Sequence, residues 1–94
     1  MENQHRKITG YRELSQEEID LMNEIKALGP VIEAMILKVQ EHVKFQRADD
    51  GRPSEEVNQR LADATPERFA ALAKTEFQTG LMYLTRAVAQ PTFF

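Results

Sequence analysis

The sequence predicts an all-α chain, an antiparallel helical hairpin with short flanking helices, on three observations. Apolar residues recur at three- and four-residue steps from Met22 to Val43 and again from Phe69 to Val88, the period of a helix with one buried stripe. A polar break carrying Gly51 and Pro53 separates the two stripes, so each helix can fold back and cover the other. With 41% hydrophobic and 29% charged residues over 94 positions, the composition suits one small folded helical domain rather than a disordered tail.

Residues 1–14 lack helical periodicity and hold Gly10 beside Tyr11, which predicts an extended basic arm or short turn. Ser15 and Glu18 form a capping box, since the serine oxygen accepts from the free N–H groups of a first turn and the glutamate accepts in return. A helix over 15–28 follows, carrying Met22 and Ile25. At Gly29–Pro30 the pattern should kink or restart, because proline has no N–H and its ring crowds the carbonyl four residues back. A longer helix over 30–47 then carries Ile32, Ile36, Val39 and Val43. Beside this seam, Leu21, Leu28 and Met35 recur every seven residues as a second apolar column, either part of one wide core face or a subunit contact.

Ser54 can cap a short helix over 54–62 with Val57 and Leu61. Thr65–Pro66 starts the final helix, over 66–89, with threonine as cap and proline at the first helical position. Phe69, Ala73, Phe77, Gly80, Leu84 and Val88 are expected on its inner face. Pro91 ends it, and the Phe93–Phe94 tail is expected to pack into this core or a partner.

Several functions are excluded on composition. No cysteine is present, so there is no disulfide scaffold and no thiolate metal site. No apolar run reaches the roughly 18 residues that span a membrane, and no apolar stretch follows the basic N-terminus, which argues against a signal peptide and for a cytoplasmic location. A net charge of −3 with acids spread along the helices disfavours a DNA or RNA polymer as partner. A small anion needs only a local basic pocket, and the first twelve residues set His5, Arg6, Lys7 and Arg12 against the single acid Glu2, either as such a pocket or as a solvated basic arm.

Catalytic chemistry is sparse. His5 and His42 are far apart, the glycines stand alone rather than in a phosphate loop, and Glu41–His42 and Asp49–Asp50 are isolated pairs on helix or loop surface. We expect no enzyme, no metal and no cofactor. Binding chemistry is better supplied. Tyr11, beside Gly10 and Arg12 in a polar arm, either stacks on a base or staples the arm to the hairpin. Asn23 and Lys26 are neighbours on a helix face, where an amide can read a base edge and an ammonium can meet a phosphate; Lys26 can equally pair with Glu24 or Glu33. Arg68 falls in the first turn of the last helix after Thr65–Pro66, where an added cation favours an anion unless Asp63 or Glu67 already satisfies it.

The string His5-Arg6-x-Ile8-x-Gly10-Tyr11-Arg12-x-Leu14-Ser15-x-Glu17-Glu18-Ile19, continuing through Leu21-Met22-Asn23 to Ile25-Lys26, resembles the signature of the phage anti-CBASS cyclic-oligonucleotide sponges, which share a helical hairpin domain with the anti-Thoeris sponges. The resemblance covers about 25 residues closely and the remainder in helical plan. It implies a homohexamer that sequesters cyclic dinucleotides such as 3′,3′-cyclic GMP-AMP, and also cyclic trinucleotides, without degrading them. It implies a dinucleotide site with Tyr11 and Lys26 at a subunit interface, to which Arg12 and Asn23 are added here, and a separate trinucleotide site, which is assigned here to Arg68 and Thr65. A rival reading is a small helical adaptor or oligomerisation module that binds protein through the Leu21/Leu28/Met35 column and the tail.

Overall fold

The computed structural model describes residues 12–48 and 54–92. Three helices follow in order, α1 (Gln16–Ala48), α2 (Glu55–Ala64) and α3 (Pro66–Ala89). Helices α1 and α3 pack along each other as the hairpin. Their direction is antiparallel: Arg47 near the end of α1 bonds Glu67 at the start of α3, while Ile25 and Lys26 near the start of α1 share a groove with Thr85 and Arg86 near the end of α3.

Local signals set the helix starts. The capping box forms in both directions, with the Glu18 N–H donating to Ser15 Oγ at 3.2 Å and the Ser15 N–H donating to Glu18 Oε1 at 2.8 Å. Ser54 accepts from the Val57 N–H at 3.1 Å at the start of α2. Thr65 departs from its expected role. It lies between α2 and α3 with φ 43° and ψ 60°, and its hydroxyl makes no cap bond. Its backbone carries the junction instead: the N–H donates to the Leu61 carbonyl at 3.0 Å and the carbonyl accepts from Arg68 N–H at 3.1 Å. A β-branched residue at positive φ is strained, by about 1–3 kcal/mol.

The sequence predicts two helices, 15–28 and 30–47, where the structure has the single helix α1 running through Pro30. An interior proline costs about 3 kcal/mol because the Lys26 carbonyl loses its donor. Two features offset this. Gly29 has no Cβ to clash with the proline ring, so the residue before proline can stay helical; a Cβ at 29 would meet nothing within 4 Å, so the glycine serves the backbone and not a close approach. The apolar seam on both sides of Pro30, from Ile25 to Val43, also docks on the same partner helix, which favours one continuous rod.

The seam of α3 is rotated from its expected face. Ala70 is buried, and Ala73, Leu81, Thr85 and Val88 are half-buried, while Phe69, Phe77 and Leu84 are exposed. Small side chains let the two backbones approach, and the rings move to the flanks.

This hairpin is thin. A helix of 33 residues is about 50 Å long, whereas a compact chain of this length would be about 32 Å across. Among the described residues only Val43, Leu61 and Ala70 are fully buried. The column Leu21, Leu28 and Met35 is 45, 45 and 58% exposed, so it is no part of the hairpin core. At 3.6 residues per turn, Leu28, Val31 and Met35 share one flank of α1, and Leu72, Tyr83 and Leu84 lie on the same side of α3. The result is a continuous apolar flank left uncovered by the described residues.

Candidate functional site

On the opposite flank, α1 and α3 diverge enough to leave an open trough of about 420 Å³. Ile25, Leu81, Met82 and Pro91 supply its apolar surface, and Lys26 and Arg86 stand at its two sides. Gly29 opens the trough into a second groove of about 340 Å³, where Ile32, Ile36 and Phe77 meet Lys74 and Glu33. The alternative partners of Lys26 are not taken up: among the described residues it makes no ion pair with Glu24 or Glu33. An exposed ammonium over an apolar trough is placed to meet a small anion that carries flat apolar surface.

Arg12, at the start of the described residues, is bonded to this end of the hairpin. Its guanidinium donates to both oxygens of Glu18, at 3.0 and 2.7 Å, to the Val88 carbonyl at 2.8 Å and to the Ala89 carbonyl at 3.2 Å. The two carbonyls belong to the last turn of α3, where helical partners run out. The Gln90 N–H closes that turn on the Arg86 carbonyl at 2.8 Å, with Gln90 at φ 52° ahead of Pro91. The fork from Arg12, then the Ser15 backbone N–H, hold the Glu18 carboxyl at about 2 against its ordinary 4.5.

Of the sequence-predicted dinucleotide residues, Lys26 lines the trough, and Arg12 is bonded to Glu18 and to the end of α3. Asn23 is exposed one turn before Lys26 and outside the trough lining. Tyr11 lies outside the described residues, as do Asp49, Asp50 and the Phe93–Phe94 tail. Arg86 escaped the sequence reading because nothing near it in the chain marks it; only the antiparallel register sets it opposite Lys26.

Arg68 and Thr65 are brought together at the other end. Arg68 Nε lies 3.5 Å from Thr65 Oγ1, and the guanidinium sits 4.7 Å above the Phe69 ring centroid. Both acids that could have neutralised Arg68 are engaged. Glu67 takes a two-pronged contact from Arg47, with Nη2 to Oε1 at 2.7 Å, and is held at about 2 by that guanidinium. Asp63 accepts from Gln59 at 3.0 Å. Arg68 therefore remains without a carboxylate partner among the described residues, on open surface rather than in a groove.

No group of three or more His, Asp or Glu side chains among the described residues is placed to hold a metal ion. The fold and its polar chemistry define an all-helical hairpin domain with Lys26 and Arg86 beside an open apolar trough. The chain belongs to the Acb2/Tad1 hairpin domain family, which matches it over residues 3–89. It is 45% identical to Anti-CBASS protein 2 of Pseudomonas phage JBD67, across 97% of each chain.

Proposed function

We propose that this protein binds cyclic oligonucleotide second messengers of bacterial immunity and holds them unchanged, so that a CBASS effector in the infected cell's cytoplasm does not fire. The observation that carries this reading is the trough with Lys26 and Arg86 at its sides, in a chain homologous along its length to an anti-CBASS protein. A cyclic dinucleotide offers two flat bases and two phosphates. Tyr11 stacks on a base and Lys26 meets a phosphate, with Asn23 at the edge of the site.

Magnitudes favour an assembly. Stacking contributes about 1–3 kcal/mol per base, and a charge-assisted hydrogen bond about 1.5–3 kcal/mol. Nanomolar affinity needs about 12 kcal/mol, more than one tyrosine and one lysine supply. Two copies around a two-fold axis double the contacts and match the near two-fold symmetry of the ligand. The uncovered flank of Leu28, Met35 and Tyr83 provides the further contact that joins such pairs into a homohexamer. A dihedral hexamer also has a three-fold axis, where copies of Arg68 and Thr65 converge on a cyclic trinucleotide.

Native mass spectrometry with and without 3′,3′-cyclic GMP-AMP and a cyclic trinucleotide reads subunit number and bound copies together. The expected result is a hexamer that takes up both ligands and releases them intact on denaturation. A lone subunit indifferent to every cyclic di- and trinucleotide overturns the proposal. A hexamer with no ligand uptake favours the rival reading, a helical oligomerisation or adaptor module, for which the apolar flank is the supporting feature.

A further inference from the structure

We propose that Arg86 is a second phosphate-contacting residue of the trough, acting across it from Lys26. This rests on the cyclic dinucleotide reading given above and adds a residue to that site.

The trough differs in charge from its neighbours. Its lining holds Lys26 and Arg86 and, among the described residues, no aspartate or glutamate. The groove that continues past Gly29 sets Lys74 against Glu33, and the groove at the far end of the hairpin sets Lys44 and Arg47 against Glu41 and Glu67. On a chain of net charge −3, a lining of cations without acids is a local reversal of sign, and it suits an anion.

Placement makes the pair suit a ligand with more than one phosphate. Lys26 is on α1 and Arg86 in the last turn of α3, so the two charges approach the trough from opposite walls. With two copies around a two-fold axis, each phosphate of a cyclic dinucleotide then meets a lysine and an arginine. Few other groups in the lining can do this. Ile25, Leu81, Met82 and Pro91 are apolar, and Thr85 directs its hydroxyl hydrogen to the Leu81 carbonyl at 3.0 Å. Arg12 stands outside the lining, with its guanidinium on Glu18 and on the Val88 and Ala89 carbonyls. A guanidinium also holds two phosphate oxygens at once, where an ammonium acts as a point charge.

An arginine in the last turn of a helix is favourable on its own account, through the partial negative charge of the final carbonyls. The test therefore reads ligand charge as well as stability: calorimetry with 3′,3′-cyclic GMP-AMP over a range of salt, on the full chain as wild type, Arg86→Gln and Arg86→Lys, with thermal unfolding and native mass spectrometry alongside. Arg86→Gln is expected to lose about tenfold or more in affinity and to flatten the slope of log affinity against log salt. Arg86→Lys keeps the charge, so the slope should stay at its wild-type value and affinity should fall by less, about threefold. Arg60→Gln, on α2 beside Glu56 and Asp63, should change neither quantity. Should Arg86→Gln fail to assemble, Arg86→Met keeps the apolar stem without the charge and is read in its place. Wild-type affinity in the uncharged variant, a loss of affinity with the salt slope unmoved, or a shift in melting temperature alone overturns the assignment of Arg86 and leaves the proposed function standing. A wild type that takes up no cyclic dinucleotide overturns both.

Discussion

The two ends of the hairpin are built from similar parts. Each has an arginine fork on a glutamate, Arg12 on Glu18 at one end and Arg47 on Glu67 at the other. Each has a residue at positive φ directly before a proline, Gln90–Pro91 and Thr65–Pro66. Each has an arginine or lysine that no carboxylate neutralises among the described residues, Lys26 and Arg68. They differ in shape. Lys26 stands over a trough between two helices and faces a second cation, Arg86, whereas Arg68 sits on open surface against Phe69. Concavity is what lets one chain supply half of a binding site; a cation on a convex helix start needs neighbouring copies to make any enclosure. One end should thus depend on pair contacts and the other on the whole assembly.

The largest effect expected is on the ligands themselves. Tyr11→Ala should weaken cyclic dinucleotide binding by about 1–3 kcal/mol per base stacked, measured by calorimetry, and leave trinucleotide binding intact. Lys26→Ala should do the same and lower the salt slope as well. The reciprocal result is expected for Arg68→Ala, a selective loss toward trinucleotides of about 1–3 kcal/mol. Equal losses for both ligand classes in either variant would mean that the two ends form one site.

Next in size is the backbone between the ends. Pro30→Ala restores a donor to the Lys26 carbonyl and should raise stability by about 1–3 kcal/mol in thermal unfolding, the gain falling short of the full proline penalty because the unfolded chain becomes freer. A loss of stability would mean that the local geometry of Gly29–Pro30 is required for the α1–α3 packing.

A smaller gain, about 1 kcal/mol, is expected from Thr65→Gly, which relieves a β-branched residue held at φ 43°. If the strain serves the Arg68 end, that variant melts higher yet binds trinucleotide more weakly; no change in melting temperature would show the turn to be unstrained.

The least effect distinguishes the two forks by pH. Glu18 and Glu67 are each held near 2 against 4.5. A depressed carboxyl stabilises the fold above its unfolded value and loses that contribution as pH falls, so melting temperature should decline between pH 4.5 and about 2. Glu67 has 53% of its side chain exposed and Glu18 25%, so water screens the Arg47 fork more. Glu18→Gln should flatten the acid decline more than Glu67→Gln, and the opposite order would reverse the ranking of the two ends.

Much of this architecture was legible along the chain. The capping box at Ser15, the Ser54 cap and the proline at the first position of α3 are short-range devices whose partners lie within four residues, so sequence spacing predicts them directly. Lys26 and Arg68 were also within reach, since a cation on a helix surface and one at a helix start are properties of a single element. Continuity through Pro30 was not, because the local penalty is real and only packing on α3 outweighs it. Arg86 was hidden for the same reason: no spacing in the chain links position 86 to position 26.

The helical class, the places where helices begin and the polar break that permits a hairpin follow from the sequence by itself, because caps, prolines and a 3.6-residue period act within one turn. Three matters were decided only by tertiary structure. Close packing selected the alanines of α3 for the seam and turned Phe69 and Leu84 outward. Antiparallel register set Arg86 across the trough from Lys26. The contacts of Arg12 with Glu18 and with the Val88 and Ala89 carbonyls joined groups from opposite ends of the chain. Each depends on groups far apart in sequence being held together, and that requires the folded pair of helices.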